Sequence, residues 1–460
     1  MTEKTKNIYF IGIGGIGMFG IAEYFLHNGY NVAGSDMAKS HITDRLEKLG
    51  AKIHIGHSES NVDGSIGTVV YSSAVNADNP EMTKAKALGI KTTRRAEMLG
   101  EIVNDKFLIA VSGTHGKTTT TAMIGKFLID AGTDPLIFVG GNVSLFDGSA
   151  VRFGNGKYAV VEADEYDRSF LALKPDVAVI TNIDADHLDI YKNLDDIKNT
   201  FKQFCGNAKE NARIVYCGDD KNIASFIGDV GGKKISYGFD DKNYYKITDY
   251  KAKLNKVNFS IMNSVSTYEN ISLSLVGRHN ALNSAAGFAI SKILELDFEL
   301  FRKSIGDFNT VDRRLQLKYN DNGIMVFDDY AHHPKEIESS LKGLKEMSSS
   351  RIIAVFQPHL FSRTRDFYKE FAEQLSIADR IILLDIYPAR EKPIEGVTGR
   401  LIFDELIEMN KQALYIQTNE KVISRLSHEV KNGDTVVFMG AGDITKLCDE
   451  FVNGLKTKNS

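Results

Sequence analysis

A chain of 460 residues is longer than one hydrophobic core encloses and predicts about three domains. Its 43% hydrophobic and 25% charged residues match an ordinary globular protein, and a net charge of -4 with scattered Lys and Arg excludes a nucleic-acid partner. The polar opening Met1–Lys6 lacks the charged-then-apolar order of a secretory signal, and no apolar run reaches the roughly 18 residues of a membrane helix; the expectation is a cytoplasmic protein without membrane insertion. Cys205, Cys217 and Cys448 show no metal or redox spacing and read as small buried hydrophobes.

Short β-rich apolar runs alternate with amphipathic helical stretches along nearly the whole chain, so the fold class is α/β, with mainly parallel sheets covered by helices. Strands are predicted at Ile8–Ile13, Asn31–Ser35 and Thr68–Ser72, with a helix over Met18–His27. A second series opens at Lys106–Val111 and continues through Leu136–Val139, Tyr158–Glu162, Val177–Thr181 and Arg213–Cys217. Polar and apolar residues then alternate over 236–275, as in Val257–Met262 and Ile271–Leu275, which predicts antiparallel strands at a domain edge. A third series follows Val311–Leu315, with strands at Ile324–Asp328, Ile352–Phe356, Ile381–Asp385 and Thr435–Met439. The expected domains are residues 1–105, 106–312 and 313–460.

Each of the first two series begins with a glycine turn. Gly12-Ile-Gly14-Gly15-Ile-Gly17 follows a strand and opens a helix, which lets a backbone approach a diphosphate at a helix N-terminus. Asp36 ends the next strand, where a carboxylate can accept hydrogen bonds from a ribose. The turn alone leaves open a nicotinamide dinucleotide, a sugar-linked UDP, or glycines that serve only close helix packing.

The second turn, Gly113-Thr114-His115-Gly116-Lys117-Thr118, runs from an apolar strand into a helix opened by Thr119 and reads as a phosphate loop. Its N–H groups would ring the phosphates of ATP, Lys117 would neutralise their charge, and the Thr118 hydroxyl would bind Mg2+. Val111 stands where the strict motif has glycine, so the loop is a shortened variant beginning at Gly113. Glu162 and His187 follow strands expected beside the loop's own strand and can reach the metal, a carboxylate being the usual magnesium ligand and an imidazole an unusual one.

These residues, with Gly277-Arg-His-Asn-Ala-Leu-Asn and Asp328-Asp-Tyr-Ala-His-His-Pro, resemble the Mur ligase family of peptidoglycan-precursor enzymes across all three segments. The opening glycine string, Thr92-Thr-Arg-Arg-Ala-Glu-Met-Leu and Phe356-Gln-Pro-His are similar to the alanine-adding branch. The resemblance implies a Rossmann-like UDP-sugar domain, a central ATPase-like domain and a C-terminal Rossmann-like domain that brings the amino acid. It implies metal-binding roles for Glu162 and His187, and places Asn280 and Asn283 of a His279-containing element near ATP. One of Arg313 and Arg314, with Arg314 favoured, would reach the γ-phosphate. Asp328 or Asp329 would stand at the nucleotide, His332 or His333 would face the substrate, and Arg363 would grip the amino-acid carboxylate. Some relatives carry arginine where this chain has Leu360, which removes one contact to that carboxylate. Arg94, Arg95 and Glu97 fit either a contact to the UDP-sugar or a polar linker face.

The chemistry implied is phosphorylation of the UDP-N-acetylmuramate carboxylate and attack of L-alanine on the acyl phosphate, by a monomer or weak homodimer. Rival readings are a ligase that recycles murein peptide onto the same UDP-sugar, a nicotinamide-dependent oxidoreductase, and a regulatory protein switched by ATP.

Overall fold

The computed structural model describes residues 6–143, 146, 149–186, 190–253, 256–308, 313–347, 349–389 and 391–459. Its first sheet contains β1 (Asn7–Ile11), β2 (Asn31–Asp36), β3 (Lys52–Ile55), β4 (Thr68–Tyr71) and β5 (Lys91–Arg94), ordered β3-β2-β1-β4-β5. Every pairing in it is parallel. The order reverses at β1, so the chain leaving β1 enters a crevice at the carboxyl edge, where open α/β sheets bind ligands. Tyr9, Ile11 and Val69 anchor one apolar cluster beneath it.

The middle sheet contains β6 (Phe107–Ser112), β7 (Leu136–Val143), β8 (Ser149–Arg152), β9 (Tyr158–Glu162), β10 (Val177–Ile180), β11 (Arg213–Cys217), β12 (Lys233–Gly238), β13 (Tyr245–Lys253), β14 (Lys256–Met262) and β15 (Thr267–Leu273). Its order is β15-β14-β13-β12-β11-β10-β6-β9-β7-β8. β6 lies between β9 and β10, parallel to both, so the ends of those two strands flank the loop that follows β6. The alternating stretch does form strands, but β12 and β13 pair in parallel rather than antiparallel. Asp219 shapes the connection by accepting the N–H groups of Phe239 and Asp240 and the Asn243 amide.

The third sheet contains β16 (Gln316–Asp321), β17 (Ile324–Asp329), β18 (Ile352–Phe356), β19 (Arg380–Leu383), β20 (Ala413–Tyr415) and β21 (Thr435–Met439), ordered β16-β17-β21-β18-β19-β20. Only β16 runs antiparallel to its neighbour. The continuous apolar run of β18 divides by alternation, with Ile352, Ala354 and Phe356 in one buried cluster and Ile353 and Val355 in the other. Helices therefore cover both faces, as an all-apolar parallel strand requires.

Two compact units result, one of Met1–Ile247, Ile261–Thr267 and Leu282–Ser304, the other of Thr248–Ser260, Tyr268–Ala281 and Ile305–Ser460. The expected boundary at 312 lies outside the described residues. Among the described residues no helix is long and apolar enough to cross a membrane.

Candidate active site

The first glycine turn is held from β2. Ser35 O accepts the N–H groups of Gly12 and Ile13 at 2.8 and 3.0 Å, and Gly12 has a φ of +78, which favours glycine. Asp36 Oδ2 accepts the Gly14 N–H at 2.8 Å, so this carboxylate shapes the turn itself. Gly15 caps the helix Ile16–His27, whose first turn carries no acidic side chain to offset its positive end. A Cβ on Gly17 would lie 3.0 Å from Arg95 Nη1, and Arg95 Nη2 donates to Ser169 Oγ at 3.2 Å. Arg94, Arg95 and Arg168 line a cavity of ≈ 270 Å³ with Ser73, Asp167 and Ser169. Glu97 lines it too, so three guanidinium groups meet two carboxylates there.

The second turn is pinned to the strand beside it. Thr114 N–H donates to Asn182 O at 3.0 Å, His115 N–H to Asn182 Oδ1 at 2.8 Å, and Thr181 Oγ1 to His115 O at 2.6 Å. Gly113, at φ +137, leaves no room for a Cβ, which would meet Thr181 Oγ1 and the backbone of Asn182. Gly116 is left-handed at φ +82, and a Cβ there would come 2.7 Å from Asn283 Oδ1. The sequence-predicted Asn283 thus sits against the loop.

Lys117 and Thr118 begin the helix Lys117–Asp130. Thr118 Oγ1 donates to Glu162 Oε1 at 3.0 Å, and Gly140 N–H to Glu162 Oε2 at 2.7 Å. Burial raises the Glu162 carboxyl above its ordinary value, opposed by the charge of Lys117. Burial also works against the Lys117 ammonium, but the carboxylates of Glu165, Asp164 and Glu162 outweigh it and hold the lysine charged. Two hard oxygens, from Thr118 and Glu162, fit a magnesium ion by chemistry and spacing. Among the described residues no three His, Cys, Asp or Glu side chains converge as a metal cage, and His187 lies outside those residues.

In the second unit, the chemistry gathers at the carboxyl ends of β17, β18 and β21. Asp328 accepts from Thr445 Oγ1 at 2.6 Å and stands 3.7 Å from Arg313 Nε. Asp329 accepts from Ala331 N–H at 3.0 Å and from Ser340 Oγ. Burial raises both carboxyls, that of Asp329 to about 6. Arg313 also donates to Gly440 O, whereas Arg314 pairs with Glu336 at 3.6 Å, and both guanidinium groups lie over the Tyr330 ring. The two arginines of the pair are therefore distinguished by their partners.

The two histidines divide as well. His332 is partly exposed, with Nδ1 2.8 Å from Tyr330 O and its ring 5.8 Å from that of His359. His333 is 3% exposed, accepts the Lys335 N–H, and packs its ring against Phe367. Arg363 Nη1 lies 3.5 Å from His359 Nδ1. Leu360 precedes the helix Phe361–Leu375, which carries Arg363, at φ +73, a left-handed value that strains any side chain. Asn280 donates to Val276 O at 2.8 Å, and burial drives the adjacent His279 down to about 4.

Sequence reasoning passed over Glu165, which pairs with Lys117 at 2.9 Å, and Asn182, which holds the loop from the side. Both follow the ends of predicted strands, three residues past Glu162 and one past Thr181, so the signal was their place at the carboxyl edge of the sheet.

The Mur ligase family catalytic-domain model matches residues 7–107, the Mur ligase middle-domain model 111–291, and the Mur ligase glutamate ligase domain model 313–442. The UDP-N-acetylmuramate--L-alanine ligase of Geotalea daltonii is 42% identical, covering 99% of each chain. That of Acetivibrio thermocellus is 41% identical, covering 98% of this chain and 96% of its own. The solved UDP-N-acetylmuramate-alanine ligase of Thermotoga maritima superposes with a TM-score of 0.83 at 29% identity, covering 98% of this chain and 99% of that one. A murein peptide ligase of Psychrobacter arcticus shares the fold, with a TM-score of 0.70 at 22% identity and 98% of each chain covered. Three consecutive models and relatives matched along nearly the whole length establish that the chain belongs to the Mur ligase family.

Proposed function

We propose that this chain is a cytoplasmic ligase that uses ATP and Mg2+ to join L-alanine to the carboxylate of UDP-N-acetylmuramate, in peptidoglycan-precursor synthesis. The observation that carries the reading is the loop itself: a half-buried ammonium at Lys117 and the Thr118–Glu162 oxygen pair stand at the start of one helix, in a chain matched throughout by relatives named for this reaction. The proposed division of labour follows the domains 1–105, 106–312 and 313–460. Gly12, Gly14, Gly15, Gly17 and Asp36 bind the UDP-sugar. The loop 113–119, with Asn280, Asn283, Arg314 and the Asp328–Asp329 pair, serves ATP. His332 and Arg363 receive the amino acid.

A carboxylate is a poor acyl donor, so its conversion to an acyl phosphate supplies a good leaving group for the amine. Both reactants of that first step are anions, and the contribution of this chain is positioning and charge neutralisation. Lys117 and Arg314 would offer cations to phosphate oxygens, and the N–H groups at the start of the helix Lys117–Asp130 would add the positive end of its dipole. The metal, held by Thr118, Glu162 and His187, supplies further neutralisation of phosphate charge when bound. Arg363 offers a planar fork to the amino-acid carboxylate, and His332, partly exposed, can accept a proton from the attacking amine.

The murein-peptide alternative has less support, because the murein peptide ligase of Psychrobacter arcticus is similar only at the level of fold. An oxidoreductase leaves Lys117 and Glu162 without a task. Phosphate release, measured with both substrates and with each omitted, tests the proposal. Turnover is expected only with ATP, the UDP-sugar and alanine together; release that persists without the UDP-sugar contradicts it, and preference for a tripeptide favours the recycling ligase.

A further inference from the structure

Lys117 already has a full set of acceptors. Its Nζ donates to Gly113 O at 2.7 Å, to Thr114 O at 3.2 Å and to Glu165 Oε1 at 2.9 Å, which occupies the three donors of an ammonium. A lysine that serves a phosphate has to give up at least one of these partners. The carbonyls belong to the loop and help define its shape, so the exchangeable partner is the carboxylate.

Glu165 is placed for that exchange. It is 2% exposed, and its backbone carbonyl accepts the hydroxyl of buried Tyr191. The residues after it turn sharply, with Asp167 and Arg168 at φ 53 and 55, and Arg168 is tied to both oxygens of Asp196 at 3.0 Å. The segment thus delivers a carboxylate to the lysine from a braced backbone. An anionic ligand approaching the loop competes with it for one cation, and at these distances such competition is worth several-fold to many-fold in affinity.

We propose that Glu165 is the resting counter-ion of Lys117: it holds the ammonium on the loop while the site lacks nucleotide, and an incoming phosphate group displaces it. Nucleotide affinity is then set below what the lysine alone would give, which favours release of the spent diphosphate. The inference rests on the ATP reading of the loop given above.

Glu165→Gln tests it, with ADP binding measured by calorimetry on the full-length protein in the absence of the other substrates. The variant is expected to bind ADP about tenfold more tightly, most clearly without magnesium, where no metal offsets the carboxylate. It is also expected to melt earlier without nucleotide and to show a larger ADP-induced rise in melting temperature, since only the empty state loses its ion pair. Glu165→Asp, which keeps the charge but withdraws it by one methylene, should tighten ADP by a smaller factor and serves if the glutamine variant does not fold. Unchanged or weaker ADP binding in the folded variants overturns the counter-ion role. Failure of the parent protein itself to bind ADP overturns instead the ATP reading on which it rests.

Discussion

Thr118 Oγ1 and Glu162 Oε1 stand 3.0 Å apart although they belong to a helix start and a strand end. The separation is set by sheet register, because Glu162 pairs with Val111 across β9 and β6 while the loop leaves the end of β6. The same carboxylate takes the Gly140 N–H, which fixes its orientation. A glutamate positioned from two sides is poised to share a hard cation with the hydroxyl.

Glu162→Gln preserves size and most hydrogen bonding but removes the charge. Turnover is expected to fall by about a hundredfold or more, the range for losing one electrostatic group at a reacting centre. The magnesium concentration for half-maximal rate should rise, while the KM for the UDP-sugar stays within about twofold. Near-parental turnover at unaltered magnesium demand would remove Glu162 from the metal site.

The two loop glycines differ in what surrounds them, which ranks their substitutions. An alanine at Gly113 meets the Asn182 backbone, which cannot swing aside, and Thr181 Oγ1, which would have to give up its bonds to Ser112 O and His115 O. One at Gly116 meets the amide of Asn283, a side-chain end, although its left-handed backbone is strained as well. Gly113→Ala is expected to cost more than about 2 kcal/mol and Gly116→Ala about 1 kcal/mol, by the usual size of overpacking and backbone strain. Urea unfolding checks the order. Asn283→Ala in the Gly116→Ala background should recover part of the stability, and no recovery would show that backbone strain alone sets the cost.

What the sequence revealed follows from where each element lies. The strands of fully buried register, such as Ile352–Phe356 and Thr435–Met439, are continuous β-branched and aromatic runs that need no neighbours to be read. The short strands Lys52–Ile55, Lys91–Arg94, Ser149–Arg152 and Ala413–Tyr415 went unread, because each lies at a sheet edge and is too short to show a period. The glycine loops were legible since the chain itself must supply positive φ there. Glu165 was not, because its meeting with Lys117, forty-eight residues away, depends on β9 lying next to β6. Nor does a pair such as Arg313-Arg314 disclose which member turns to Asp328 and which to Glu336.

Asp329 gives the second unit a pH signature. Burial raises its carboxyl from 3.8 to about 6. Below about pH 4 it is protonated in both folded and unfolded chains, and between about 4 and 6 only the folded chain retains the proton, so this group's stabilisation is lost as pH rises through that window. The loss is at most about 3 kcal/mol for a shift of that size. Asp329→Asn can still accept from Ala331 and meet Ser340 while carrying no titrating proton. Relative to the parent, the variant should therefore gain stability between pH 4 and pH 7 in denaturant titrations. A pH-independent difference would show that Asp329 does not titrate in this range.

His332 and His333 share a turn but not an environment, and their alanine variants should fail in different ways. His333 is buried, its ring lies against Phe367, and its carbonyl accepts the N–H groups of Glu336 and Ile337 at the start of the helix Pro334–Met347. Truncating it leaves a void in packed surroundings, so His333→Ala should cost about 2 kcal/mol or more in unfolding free energy. His332 is partly exposed, and Glu336 stands 3.4 Å from its Nδ1, close enough to steady a positive charge on the ring. That is the setting of a group that can take up a proton from an amine. His332→Ala should therefore leave stability within about 0.5 kcal/mol, as for a substitution outside the core. Its kcat should fall ten- to a hundredfold, the lower range of general-base contributions. Raising the pH should recover part of that loss, because alanine then supplies more of its own neutral amine. If His333→Ala instead depresses kcat in a protein of parental stability while His332→Ala does not, the roles of the two histidines are exchanged.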